Sequence, residues 1–149
     1  MSRFHMHVVV ENLKISTRFY TALFDAEPAT IKNDYVKWIL DHPSLNFVIT
    51  SRGHIPGVDH VGIQTDTDEE LESLQARLAA AGIAGQTQKN FACCYERSNK
   101  HWVLDPQGVA WEAFHSLHPI PTFDDETSEP AVFGCCAPDL GSTGCKPQQ

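Results

Sequence analysis

Five side chains in this sequence stand out for the chemistry they could do together. His5 lies in the run Phe4-His5-Met6-His7-Val8, His60 in Asp59-His60-Val61-Gly62, and Glu112 in Trp111-Glu112-Ala113-Phe114. Two imidazoles and a carboxylate on one face of an ion leave its other side open to substrate or dioxygen. That facial set suits non-haem Fe(II), and it also accepts Zn, Mn, Ni or Co. His7 shares a strand face with His5 and is an alternative donor. Glu112, an acid in an apolar strand, needs a partner.

The other two are Cys93 and Cys94. Of five cysteines, four form adjacent pairs, Cys93-Cys94 and Cys135-Cys136, and Cys145 stands alone. Adjacent cysteines make strained disulfides with each other, and no CxxC zinc spacing occurs. In a reducing compartment they are expected as thiols suited to a soft ion. Successive side chains of a strand point to opposite faces, so two neighbouring thiols that grip one ion must sit in a bend. Residues 91–102 read as such a loop, with Asn99 and Lys100 as turn residues and Arg97, Lys100 and His101 favouring thiolate charge.

The elements that position these residues follow from periodicity. Residues 4–10 alternate as a strand, with His5, His7 and Val9 on one face. Asn12 then caps a helix whose Ile15, Phe19 and Leu23 recur at i, i+4, closed by Pro28. Strands are predicted at Tyr35–Leu40 and Leu45–Thr50 around the turn Asp41-His42-Pro43-Ser44. A second strand, Val58-Asp59-His60-Val61-Gly62-Ile63-Gln64-Thr65, leads to a Thr67/Glu70 capping box. The helix that follows carries Leu71, Leu74, Leu78 and Ala81 and stops at Gly82. Strands at 87–91, 101–104 and 109–115 complete the pattern, the last two joined by Asp105-Pro106-Gln107-Gly108. The halves read as one βαβββ unit repeated, since His5/His60, Phe19/Leu74 and Leu23/Leu78 share a spacing of 55 residues. The α+β class follows, with units 1–52 and 57–117 in one domain and residues 118–149 as a mobile, acidic, cysteine-containing tail.

Size and charge narrow the function. A chain of 149 residues with a formal net charge of −8 lacks the basic surface that nucleic acid demands. No apolar run approaches the roughly 18 residues of a membrane span, and the first residues form no signal peptide. A cytoplasmic protein without nucleic-acid or membrane partners is expected.

At this level of detail the sequence resembles the vicinal oxygen chelate superfamily. The carriers are FHMHVVVENLKISTRFYTALFDAEPA, VDHVGIQT and LDPQGVAWEAF. More specifically, MSR, RFYTALFDAEPA, ACCYERSNKHWV and DPQGVAWE resemble the ArsI/CadI family of Fe(II)-dependent C–As lyases, over residues 1–117. The resemblance implies two βαβββ units enclosing a metal cleft, with Fe(II) held by His5, His60 and Glu112. It implies that Cys93 and Cys94 bind trivalent arsenic and that Lys100 lines the site as a catalytic residue. The family often has Gln where this chain has His5, and a Gln-Asp pair where it has Ser98-Asn99. The implied reaction is cleavage of the carbon–arsenic bond of methylarsenite or trivalent aromatic arsenicals by dioxygen, giving arsenite. A homodimer is compatible with it. The alternatives are a non-catalytic vicinal-thiol binder of As(III) or Cd(II), or an extradiol, fosfomycin-modifying or glyoxalase-type enzyme. The glyoxalase type would want a carboxylate on the last strand of the first unit, which Ser44-Leu45-Asn46-Phe47-Val48-Ile49-Thr50-Ser51 does not offer.

Overall fold

The structure is a computed structural model that describes residues 2–53 and 55–125, with Pro138 and Leu140. The elements run β1 (Arg3–Val9), α1 (Leu13–Phe24), β2 (Thr30–Ile31), β3 (Tyr35–Leu40), β4 (Leu45–Thr50), β5 (Gly57–Thr65), α2 (Asp68–Ala80), β6 (Gln86–Cys93), β7 (Glu96–Leu104) and β8 (Ala110–Pro119). The strands form one curled mixed sheet in the order β2-β3-β4-β1-β5-β8-β7-β6. Within each half the first strand pairs in parallel with the last, β1 with β4 and β5 with β8. The halves join where β1 runs antiparallel to β5. Each half therefore has the same βαβββ topology, as the sequence predicts, and the sheet bends into the half-barrel of the vicinal oxygen chelate fold.

Strand alternation decides what faces the inside of the curl. Met6 and Val8 of β1 join Val36, Trp38, Phe47 and Ile49 in an apolar layer under α1. His5 and His7, on the opposite pleat, are buried on the concave side. The helix ends follow their sequence signals. Asn12 accepts from the Ile15 N–H at 2.9 Å, and Thr67 accepts from the Glu70 N–H at 3.2 Å. Glu70 reaches back to the Asp66 N–H rather than to that of Thr67. Gly82, at φ 74°, ends α2 with hydrogen bonds from Gly82 and Ile83 to the carbonyls of Ala79 and Leu78.

Helix α1 is turned opposite to its expected face. Ile15, Phe19 and Leu23 are 68%, 59% and 61% exposed, while Leu13, Tyr20 and Phe24 lie on the core. The helix carries apolar residues on two sides, and ring contacts select the phase. Tyr20 and Phe24 pack against Phe47, tilted and edge-on respectively, at centroid distances of 4.5 and 5.1 Å. A second difference lies at the C-terminal boundary. Strand β8 continues to Pro119, and Phe123 is buried against Tyr35, Val48 and Cys93. Residues 120–125 thus extend the domain beyond 117, because a buried phenyl ring anchors them. Cys135, Cys136 and Cys145 lie outside the described residues.

Candidate metal and thiol site

Asn46, His5, Gly62, Glu112 and Trp102 are successive cross-strand partners along one row through β4, β1, β5, β8 and β7. His5 and Glu112 stand on strands two apart, a backbone spacing of roughly 9–10 Å. Gly62 is the residue between them, and their side chains converge from either side of it. His60, two residues before Gly62 on the same pleat, enters from the adjoining row.

The three groups meet. His5 Nε2 lies 3.3 Å from His60 Nε2 and 3.5 Å from Glu112 Oε2, and His60 Nε2 lies 3.2 Å from that same oxygen. Ligands about 2.1 Å from one ion and at right angles stand about 3 Å apart, so one cation fits among these donors. Each imidazole is fixed from behind. His5 Nδ1 donates to the Asn46 carbonyl at 3.1 Å, and His60 Nδ1 donates to Asp59 Oδ2 at 2.7 Å. Both bonds aim Nε2 at the common point, as outer partners of metal-binding histidines do. Lys100 Nζ holds Glu112 Oε1 at 2.5 Å, which leaves Oε2 for the centre.

Electrostatics agree with this arrangement. Burial pushes His5 down to about 4, assisted by the charges of His60 and Lys100. Burial also acts against charging His60, but hydrogen bonds to Asp59 and Glu112 outweigh it and raise the group to about 9. Glu112 is held well below the carboxylate range: desolvation opposes this, and Lys100, His60 and His5 overcome it. Without a metal, a proton on His60 supplies the positive charge at the point where a cation fits. The donor set therefore suits a divalent cation.

A third imidazole belongs to the group. His7 pairs directly with His60 across β1 and β5, and the nitrogens of His5, His7 and His60 lie within 4.8 Å of one another. The 55-residue spacing matches His5 to His60, whereas the strand register sets His7 opposite His60. His7 on the face of His5 was the sequence signal for this, and it could not say which imidazole would join.

The thiol pair sits in the same cleft, in a tighter bend than the sequence suggests. Residues 91–102 are mostly hairpin rather than loop. Cys94 and Tyr95, at φ 59° and 63°, form its two-residue turn, and Cys93 pairs with Glu96. Two successive positive φ values are what a type I′ hairpin needs, usually met by Asn-Gly. Asn99 and Lys100 lie within β7 instead of at a turn. The bend brings the two sulfurs within 3.1 Å. Cys93 is disulfide-bonded, so a dithiol at this turn requires its reduction. Burial raises the Cys94 thiol to about 12 against the pull of Lys100. Of the three cations expected near the thiols, Arg97 instead pairs with Asp125, and His101 with Thr87 at 2.9 Å.

The turn is clamped from both halves. Tyr95 Oη donates to Asp34 Oδ1 at 2.5 Å, and Arg52 also pairs with Asp34. The Tyr95 N–H donates to the Phe123 carbonyl at 3.2 Å, and Lys37 reaches Glu96 at 2.8 Å. The walls of the cleft include Tyr35, Asn46, Val48, Ser98 and Phe114 beside the named site residues.

Comparisons with known proteins give the family of the chain. Residues 3–113 match the family model described as glyoxalase/bleomycin resistance protein/dioxygenase superfamily. The chain is 38% identical to the trivalent organoarsenical cleaving enzyme of Bacillus sp. (strain MD1), over 93% of this chain and 92% of that one. It is 30% identical to the cadmium-induced protein CadI of Mycobacterium tuberculosis (strain ATCC 25618 / H37Rv), over 91% and 93% of the two chains. Among solved structures it resembles homoprotocatechuate 2,3-dioxygenase from Arthrobacter globiformis, with a TM-score of 0.57 and 18% identity over 80% of this chain and 37% of that one. The Mn(II)-bound glyoxalase from Novosphingobium aromaticivorans gives 0.56 and 15%, over 80% and 42%. This chain spans less than half of either of those two structures. By family match, relatives and fold together, the chain belongs to the glyoxalase/bleomycin resistance protein/dioxygenase superfamily, with relatives named as organoarsenical cleaving enzymes and CadI.

Proposed function

We propose that this protein cleaves the carbon–arsenic bond of trivalent organoarsenicals, methylarsenite or aromatic arsenicals, using Fe(II) and dioxygen and releasing arsenite. The observation that carries this reading is one cleft containing both the His5, His60 and Glu112 donor set and the Cys93-Cys94 turn. The names of the relatives point the same way.

His5, His60 and Glu112 would hold the iron, whose chemistry when bound is the activation of dioxygen. The other steps belong to the chain's own residues. Once reduced, Cys93 and Cys94 exchange with two hydroxyls of the trivalent arsenical, each forming an S–As bond and releasing water. Fixing arsenic through two sulfurs holds its carbon substituent in the cleft, which raises effective molarity. Lys100 acts by positioning Glu112 and neutralising the acid's second oxygen. For a methyl substituent, atoms and electrons balance when one dioxygen converts methylarsenite to arsenite and formaldehyde.

The reaction needs a reduced thiol pair, which fits a cytoplasmic setting. No helix among the described residues is long and apolar enough to cross a membrane. The exposed Ile15, Phe19 and Leu23 stripe is where two copies would associate as a homodimer.

A second reading, a thiol binder of As(III) or Cd(II) without turnover, draws on the CadI relative and on the close sulfurs. Glu112→Ala separates the two. Cleavage should be lost while the reduced variant still binds one equivalent of arsenical. Unchanged arsenite release by the variant would overturn the lyase reading.

A further inference from the structure

We infer that His7 is a fourth protein donor to the metal, so that this cleft holds three imidazoles and one carboxylate rather than the plain two-histidine, one-carboxylate set. The inference rests on the metal site proposed above and adds a ligand to it.

The geometry comes from β1. His5 and His7 are alternate residues of one strand, so both rings leave the same pleat into the cleft. His7 faces His60 across the strand pair, with ring centroids 4.8 Å apart. The candidate donor atoms of His5, His7 and His60 all fall within 4.8 Å of each other, so small side-chain rotations bring all three to one ion.

The state of the ring nitrogen points the same way. His7 is 2% exposed, and its Nε2 has no hydrogen-bond partner among the described residues. Buried polar atoms are nearly always satisfied, and an exception calls for a ligand or an ordered solvent molecule. Here the orphaned atom is a nitrogen donor beside two others already aimed at a common point. No other described side chain competes for it.

A fourth donor changes what the cleft can accept. A six-coordinate metal held by four protein groups keeps two open positions, and a substrate that chelates through two oxygens, such as a catechol, would fill both and leave none for dioxygen. The fourth donor does not disfavour a substrate anchored away from the metal by sulfur. The fourth donor and the thiol turn are thus complementary: one closes a position on the metal, and the other removes the need for it.

The test compares wild type, His7→Phe, His7→Ala and His60→Ala, each reduced and handled anaerobically. Co(II) affinity is measured by titration, imidazole number by X-ray absorption of the Co(II)-loaded protein, and folding by circular dichroism. We expect three imidazoles in wild type and two in whichever His7 variant folds, with at least about tenfold weaker Co(II) binding. Two imidazoles in wild type, with unchanged affinity in a folded His7 variant, would overturn the inference while leaving the metal site intact. Wild type and His60→Ala binding Co(II) alike would bring down the metal site itself, and this inference with it.

Discussion

Glu112 does two jobs with its two oxygens, and the division depends on Lys100. Oε1 is taken by the ammonium at 2.5 Å, and Oε2 is turned to the imidazoles. Both partners are buried, so removing one leaves an uncompensated charge, at a cost of about 3–5 kcal/mol. Lys100→Met should therefore lower stability by that order and weaken Fe(II) binding by about 10–100-fold. Chemical denaturation and metal titration check the two effects, and an unchanged metal affinity would deny Lys100 its positioning role. The thiol gives a second prediction. Burial holds Cys94 at about 12, so it carries its proton at neutral pH. Cd(II) must expel that proton, and its affinity should rise as pH rises from about 6 to about 9. An arsenical hydroxide leaves as water with the thiol proton, so its affinity should stay flat over that range. Isothermal titration of the reduced protein at several pH values distinguishes these slopes.

At the scale of elements, the site depends on how closely β5 lies against β8. A Cβ on Gly62 would stand 2.0 Å from the Glu112 carbonyl oxygen, a backbone atom that cannot move aside cheaply. Gly62→Ala should push the strands apart, displace Glu112, and reduce metal affinity more than Gly82→Ala, where nothing lies within 4 Å of an added Cβ. Equal metal affinity in the two variants would remove Gly62 from the account of the site. The strands themselves are legible in the sequence: Tyr35–Leu40 and Leu45–Thr50 match to the residue, and Asn12 and Thr67 are the N-caps the sequence predicts. Three features were not legible. Helix α1 has two apolar faces, and only the rings of Trp38 and Phe47 choose between them. The Cys94-Tyr95 turn uses residues that seldom take positive φ, so no Asn-Gly signal marked it. The role of His7 follows from β1–β5 register, which alternation within one strand cannot supply.

The whole molecule is a duplicated half-barrel whose two halves contribute unequally to one cleft. The first unit supplies His5, His7 and the Asp34–Arg52 clamp; the second supplies His60, Glu112, Lys100 and the thiol turn. Residues 120–125 close over that turn from outside the repeat. Phe123 is 4% exposed there and receives Arg52 over its ring at 3.9 Å. Phe123→Ala should destabilise the fold by about 3 kcal/mol and lower the affinity for arsenical through a loosened turn. Thermal unfolding and binding by the reduced protein test both parts. The central claim, that iron and thiols in this cleft act on one substrate, is tested most directly by arsenite release. Reduced protein is incubated with methylarsenite, with and without Fe(II), and with and without dioxygen. We expect arsenite only when both iron and dioxygen are present. Tight arsenical binding with no arsenite under any of these conditions would contradict the lyase and leave a thiol binder.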